Sequence, residues 1–195
     1  MDVWYFSYGS NILIDRFLCY IHGETPAGST RAEVGCQDKT SPKETHIMSI
    51  PYSLYFSKER SKWGEGGVAF IDHKPVDNTA TIGRMFLITE DQFKDVVAQE
   101  NNETLIDIDL KKVIERGSAK VTNGWYGRMM YLGEKEGAPI FTFTSNTPMS
   151  GQKIKIPAKP YIKTIANGLM KMNMSKQDIS DYLTRKHGGV DPFQT

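Results

Sequence analysis

Cysteine is nearly missing from this chain of 195 residues, which has only Cys19 and Cys36. Neither sits in a Cys-x-x-Cys or Cys/His pattern, so no disulfide framework and no zinc site is legible. Both are expected as reduced thiols of a cytoplasmic protein. The four histidines, His22, His46, His73 and His187, stand far apart in turn-like contexts without a second ligand at helical spacing, and no metal is expected. No apolar run approaches the roughly 20 residues of a membrane span. No basic n-region precedes Val3, so no signal peptide is expected. Charge of one sign is lacking too: Lys+Arg number 24 against 23 Asp+Glu. With no basic stripe interleaved with aromatics, this balance argues against nucleic acid or anionic membrane as partner. There are no repeats and no heptads. The glycines of Trp63-Gly-Glu-Gly-Gly67 are not closed by Gly-Lys-Ser/Thr, so they form no phosphate loop. Ser10 lacks the second flanking glycine of a nucleophile elbow, although a Ser–His–Asp triad stays open because its members need not be adjacent.

What is present begins almost at the first residue. Val3 to Tyr8 is aromatic and β-branched, which suits a buried strand. Gly9 breaks it, and Ser10 or Asn11 is placed to cap the apolar run that follows. A strand, a glycine turn and a helix start leave backbone N–H groups for a carboxylate or a developing oxyanion. Ile12, Leu13, Phe17, Leu18 and Ile21 recur at three- and four-residue spacing, with Asp15 and Arg16 between them, and predict a short helix ending near Gly23. Residues 23 to 46 read as a long polar loop. Ile47 to Ser57 reads as one strand. Trp63 to Gly67 reads as a turn or a ligand cradle, followed by an apolar Val68 to Ile71. Residues 72 to 79 read as a turn around Pro75, and Ala80 to Ile88 as another strand. Residues 101 to 123 are weakly periodic, with a short strand or helical insert. Trp125 to Leu132 and Pro139 to Thr144 read as two strands around a turn at Glu134 to Gly137. Two terminal helices carry Tyr161, Ile165 and Leu169, then Ile179, Tyr182 and Leu183. These elements predict an α+β fold, a small mixed-strand β-barrel with flanking helices. The length suits one domain over residues 1–185, with a mobile tail over 186–195.

The best-marked helix runs from Thr89 to Asn101. Thr89 with Gln92 three residues on reads as a capping box, and Phe93, Val96 and Val97 form the inward stripe. Glu100 falls at i+7, i+4 and i+3 from those three, on the apolar face. It also lies in the last turn, where the helix dipole disfavours an anion. Either it swings into water at a frayed end, or it is placed as a working base.

Tyr5-Phe-Ser-Tyr-Gly-Ser-Asn11 resembles the Y-G-S-N loop of the γ-glutamylcyclotransferase superfamily, which includes γ-glutamylamine cyclotransferases and AIG2-like proteins. The order of later features strengthens the resemblance. Trp63-Gly-Glu-Gly-Gly-Val-Ala69 is similar to the superfamily's Trp-x-Gly-Gly-(Ile/Val)-Ala element. Thr81-Ile-Gly-Arg-Met-Phe-Leu87 and the helix after it resemble the strand and helix that end in the catalytic glutamate, matched by Gln99-Glu100. Pro160-Tyr161 and Ile165-Ala-Asn-Gly-Leu169 resemble the C-terminal segment. Asn101 departs from relatives that have Gly there, and residues 101–123 look like an insertion.

The resemblance implies a cyclotransferase that acts on a small γ-glutamyl substrate and needs no cofactor or metal. Glu100 would be the general acid and base. Tyr5, Phe6, Ser7, Tyr8, Gly9, Ser10 and Asn11 would hold the γ-glutamyl group, largely through backbone N–H groups. Tyr161 would contact substrate, and Tyr126 would approach the pocket. A non-catalytic binding member of the same fold and a serine amide hydrolase are the alternatives. The leaving amine and the oligomeric state stay open.

Overall fold

The computed structural model describes residues 1–27 and 29–194. Gly28 of the expected loop and Thr195 of the expected tail lie outside the described residues. In chain order the elements are β1 (Asp2–Ser7), a 3₁₀ turn (Ser10–Ile12), α1 (Ile14–His22), β2 (Glu44–Ile50), β3 (Tyr52–Ser57), β4 (Arg60–Ser61), β5 (Gly64–Glu65), β6 (Val68–Pro75), β7 (Thr81–Thr89), α2 (Glu90–Glu100), α3 (Leu110–Arg116), β8 (Ser118–Lys120), β9 (Arg128–Lys135), β10 (Ala138–Thr144), a second 3₁₀ turn (Met149–Gly151), α4 (Lys159–Met170) and α5 (Lys176–Thr184). The α+β class is as expected. The barrel is not.

Six strands form one open sheet in the order β2-β7-β1-β10-β9-β8, and β3-β6 and β4-β5 form separate pairs. Strand β1 runs parallel to β10 and antiparallel to β7, so the sheet is mixed. Its outer strands do not pair with each other. β8 has three residues, and β2 exposes most of its side chains, as edge strands do. The expected single strand over 47–57 is broken at Pro51, between β2 and β3. Proline cannot donate to a ladder, and its carbonyl instead accepts from Val76 N–H at 2.7 Å. The turn expected over 72–79 starts later, because β6 stays paired through Pro75. Between β9 and β10, Glu136 and Gly137 both have positive φ (54° and 77°), the backbone of a two-residue hairpin turn.

The chain forms two compact units, described separately. The first comprises Met1–Ser7, Asp15–His46 and Arg84–Asn146; the second comprises Tyr8–Ile14, Ile47–Gly83 and Thr147–Thr195. The first unit has an aromatic core. The Tyr5 ring stacks on Phe143 (5.2 Å between centroids), Phe17 on Phe86 (4.0 Å) and Phe93 on Phe141 (5.7 Å). The capping box of α2 is present: Gln92 N–H donates to Thr89 Oγ1 at 3.1 Å and Thr89 N–H to Gln92 Oε1 at 3.0 Å. The polar residues of α2 then hold the preceding loop. Gln92 Nε2 donates to the Thr40 carbonyl (2.7 Å), Gln99 Oε1 accepts from Gly35 N–H (2.9 Å), and Asp95 accepts from Gln37 N–H (2.8 Å). Both cysteines are buried free thiols, and burial pushes Cys36 up to about 12.

In the second unit, β3 pairs with β6 and with residue 187: His187 N–H donates to the Leu54 carbonyl (3.3 Å), and Phe56 N–H to that of His187 (3.0 Å). Helix α4 packs against the first 3₁₀ turn through Gly168. A Cβ there would lie 2.8 Å from the Leu13 nitrogen and 3.0 Å from the Ile12 carbonyl carbon. Gly→Ala inside an open helix gains about 1 kcal/mol. Gly168→Ala is expected to lose about 1–3 kcal/mol instead, measured by urea denaturation; a gain would contradict this packing.

Candidate functional site

The second unit holds the glycine turn. After β1 the chain bends at Gly9 (φ −104°, ψ −145°) into a 3₁₀ turn with no side-chain cap, so neither Ser10 nor Asn11 caps a helix as the sequence suggested. Ile12 N–H donates to the Gly9 carbonyl at 3.1 Å and Leu13 N–H to that of Ser10 at 3.2 Å. A Cβ on Gly9 would stand 2.8 Å from the Tyr161 hydroxyl oxygen, which explains the glycine by space. Tyr161 enters from the first turn of α4, behind Pro160, and is 3 % exposed. Its hydroxyl accepts from Ala69 N–H at 3.1 Å, and its ring meets Trp63 edge-on at 5.3 Å. Three segments matched separately in the sequence therefore converge: the Gly9 turn, the Trp63 to Ala69 stretch and the Pro160-Tyr161 start of α4. Tyr8 and Asn11 are buried in the same unit, and Ser10 is half-buried.

The first unit holds Glu100, the last residue of α2 and half-buried. The Tyr20 hydroxyl is hydrogen-bonded to it. Tyr20 is 1 % exposed. Burial first, and the Glu100 charge second, hold its hydroxyl well above the ordinary tyrosine value, so it stays protonated and donates. Behind it lies Arg16, 4 % exposed. Its Nη2 donates to the Tyr20 oxygen at 3.3 Å and to Glu33 Oε1 at 2.6 Å, and the guanidinium carbon stands 4.6 Å from the centre of the Tyr20 ring. Burial alone would lower the Arg16 pKa, but Tyr20, Glu33 and Glu100 outweigh it and the group stays charged.

Asn101, next in the chain, closes the end of α2. Its Nδ2 donates to the Val97 carbonyl (2.9 Å) and to that of Tyr126 (3.3 Å), and its Oδ1 accepts from Tyr126 N–H (3.0 Å). The residue that departs from the resembled pattern thus ties the Tyr126 loop to the helix end that carries Glu100. The Tyr126 ring lies edge-on to Phe143 at 5.7 Å. Tyr5, Phe6 and Ser7 are buried in β1; the Tyr5 ring belongs to the aromatic core, and the Phe6 carbonyl accepts from Thr142 Oγ1 at 2.8 Å.

Arg16, Tyr20 and Glu33 carry no motif in the sequence. Arg16 reads as a polar spacer between apolar residues, and Glu33 lies in an aperiodic loop. The one available signal was the i, i+4 spacing of Arg16 and Tyr20, which puts both on one helix face. Among the described residues no group of three or more His, Cys, Asp and Glu is placed to hold a metal ion. No helix among them is long and apolar enough to cross a membrane.

No family model matches the chain. Over 205 aligned positions it is 38 % identical to histone deacetylase 5 of Arabidopsis thaliana; the match takes in 95 % of this chain, and the chain spans 31 % of that protein. Among solved structures it is similar to a γ-glutamyl cyclotransferase, with TM-score 0.53 and 14 % identity over 93 % of this chain and 86 % of the other. It is also similar to an uncharacterized protein from Homo sapiens, with TM-score 0.53 and 13 % identity over 100 % and 92 % of the two chains. The chain has the γ-glutamyl cyclotransferase-like fold.

Tyr161→Phe keeps the ring and removes the acceptor for Ala69 N–H, which is itself buried. It is expected to cost about 1–3 kcal/mol and to speed amide hydrogen exchange at Ala69. Unchanged exchange would contradict the bond.

Proposed function

We propose that this chain is a γ-glutamyl cyclotransferase, converting a γ-glutamyl amide to 5-oxoproline and a free amine. In the reaction the substrate's α-amine nitrogen bonds to its own γ-carbonyl carbon, and the bond from that carbon to the leaving nitrogen breaks. Two obstacles set the barrier: the attacking amine must shed a proton, and an amide is a poor acceptor. Glu100 takes the proton and returns it to the leaving nitrogen, a role worth about 10² to 10⁴ in rate. The N–H groups of Gly9 and Ser10 are the proposed donors to the tetrahedral oxyanion, each worth roughly 10² to 10³. Tyr161 and the turn from Tyr8 to Asn11 are proposed to hold the glutamyl chain folded for closure, and the resemblance assigns substrate contacts to Tyr5, Phe6, Ser7 and Tyr126 as well.

The observation that carries this reading is the fixed carboxylate. Glu100 accepts a hydrogen bond from a buried, protonated Tyr20, which in turn accepts from a charged Arg16. Neighbours that are themselves anchored restrain this side chain more than solvent at a frayed helix end would. It is supported by the fold and by the ordered match of sequence elements. A second reading, a ligand-binding module without turnover, is favoured by one observation: histone deacetylase 5, 38 % identical over this chain, is named for a different activity, and this chain corresponds to 31 % of its length.

Incubation with γ-glutamyl amino acids and γ-glutamylamines is expected to release 5-oxoproline, and Glu100→Gln to lower that rate by about 10² to 10⁴. Release undiminished in Glu100→Gln would remove Glu100 from the chemistry. Saturable binding with no release would favour the binding module, and glutamate in place of 5-oxoproline would indicate hydrolysis. Tyr20→Phe deletes one hydrogen bond to a charged group, worth about 1.5–3 kcal/mol. It is expected to lower kcat by about ten- to a hundredfold with KM little changed; a purely structural role would lower the melting temperature and leave kcat per folded molecule intact.

A further inference from the structure

A cavity of about 310 Å³ in the second unit is lined by Ser53 and Leu54 of β3, by Asn78, Thr79 and Ala80, and by Tyr182, Arg185, Lys186 and His187 at the end of α5. Its chemistry belongs to neither of the residue groups described above. None of its lining residues is acidic, while three consecutive ones are basic or imidazole side chains. Ser53, Thr79 and Asn78 add hydroxyl and amide groups.

Lys186 is fixed in place. Its Nζ donates to the Ala80 carbonyl at 2.5 Å and stands 4.2 Å from the centre of the Tyr182 ring. An ammonium has three donors, and the carbonyl takes one. Arg185 is anchored through Nε to the Asp181 carbonyl at 2.8 Å, and its guanidinium has further donors on its two terminal nitrogens. Among the described residues neither Lys186 nor Arg185 has a carboxylate within ion-pair distance. A half-buried cation with no counter-ion carries a desolvation cost, and a bound anion offsets it.

We propose that this cavity binds a small phosphate monoester, its phosphate held by Lys186, Arg185 and His187. A phosphate of charge near −2 presents three terminal oxygens, which matches two cations, an imidazole and hydroxyl donors better than a carboxylate's two oxygens would. The volume exceeds that of a bare phosphate and stands at the lower end of small-molecule sites, about 300–1,000 Å³. The monoester's organic part occupies the remainder, beside Leu54 and the Tyr182 ring.

The electrostatics give the site a pH signature. Burial first, and Arg185 second, lower Lys186 to about 8. The other titratable groups that line the cavity are Tyr182, held protonated by its own burial, Arg185 and His187; β3 and residues 78–80 contribute none. Below about pH 8 Lys186 is already cationic. Above it the amine is neutral, and binding an anion must recruit a proton, so affinity falls as pH rises through 8. The phosphate's own second ionisation, near pH 6, is complete by then and would act in the opposite sense.

Calorimetry with inorganic phosphate, ribose 5-phosphate and ribose tests this on the whole chain, independently of any cyclotransferase activity. Ribose 5-phosphate is expected to bind saturably, inorganic phosphate more weakly and ribose not at all. Arg185→Gln, at an exposed position, and Lys186→Gln are each expected to weaken binding about tenfold with the thermal transition unchanged in Arg185→Gln. Lys186→Arg is expected to restore binding and abolish the loss between pH 7 and 9. Absence of saturable binding by either phosphate compound, or binding unaltered in both glutamine variants, would overturn the proposal.

Discussion

A guanidinium cannot be buried alone, and in the first unit much follows from where Arg16 finds its partners. Removing a charge from water costs several kcal/mol unless hydrogen bonds and opposite charge replace the solvent. Arg16 receives both from Glu33, on the loop after α1, and from the Tyr20 oxygen one turn along its own helix. That arrangement sets the loop path, and α2 completes it: Gln92, Asp95 and Gln99 each accept from or donate to backbone between Gly35 and Thr40 or, for Gln99, also Tyr20. The same constraint delivers a protonated tyrosine hydroxyl to Glu100. Packing and the candidate chemistry share one network.

Space plays the corresponding part in the second unit. Tyr161 and Gly168 are seven residues apart on α4 and so lie on one helix face. The tyrosine hydroxyl fills the volume a Gly9 side chain would need, and the glycine lets the helix backbone approach Ile12 and Leu13. The turn after β1 is thereby gripped at both ends by one helix. A larger residue at either glycine has to move backbone or a hydrogen-bonded hydroxyl, not a free side-chain end.

Much of this was legible in the residues. The capping box of α2, its buried stripe and the inward face of Glu100 follow from spacing, because each is local. The ordered motifs led to the fold. The rest depends on contacts distant in sequence. Whether six strands close into a barrel is decided by pairing at the sheet edges, and β2 and β8 read no differently from strands that close one. Pro51 looked like one residue of a strand and instead divides two sheets. Arg16 looked like a helix-surface spacer, since its partner Glu33 has no periodic context. The basic cavity joins residues 53 and 54, 78–80 and 182–187, and no single stretch announces it.

At 14 % identity, kinship of fold with a γ-glutamyl cyclotransferase leaves the chemistry to be argued from side chains. In the proposed reaction that side chain is Glu100. The most direct test is a structure of the protein with 5-oxoproline bound. The account predicts the lactam nitrogen within hydrogen-bond reach of the Glu100 carboxylate, roughly 2.6–3.2 Å or through one water. A product molecule seated away from Glu100 would contradict it.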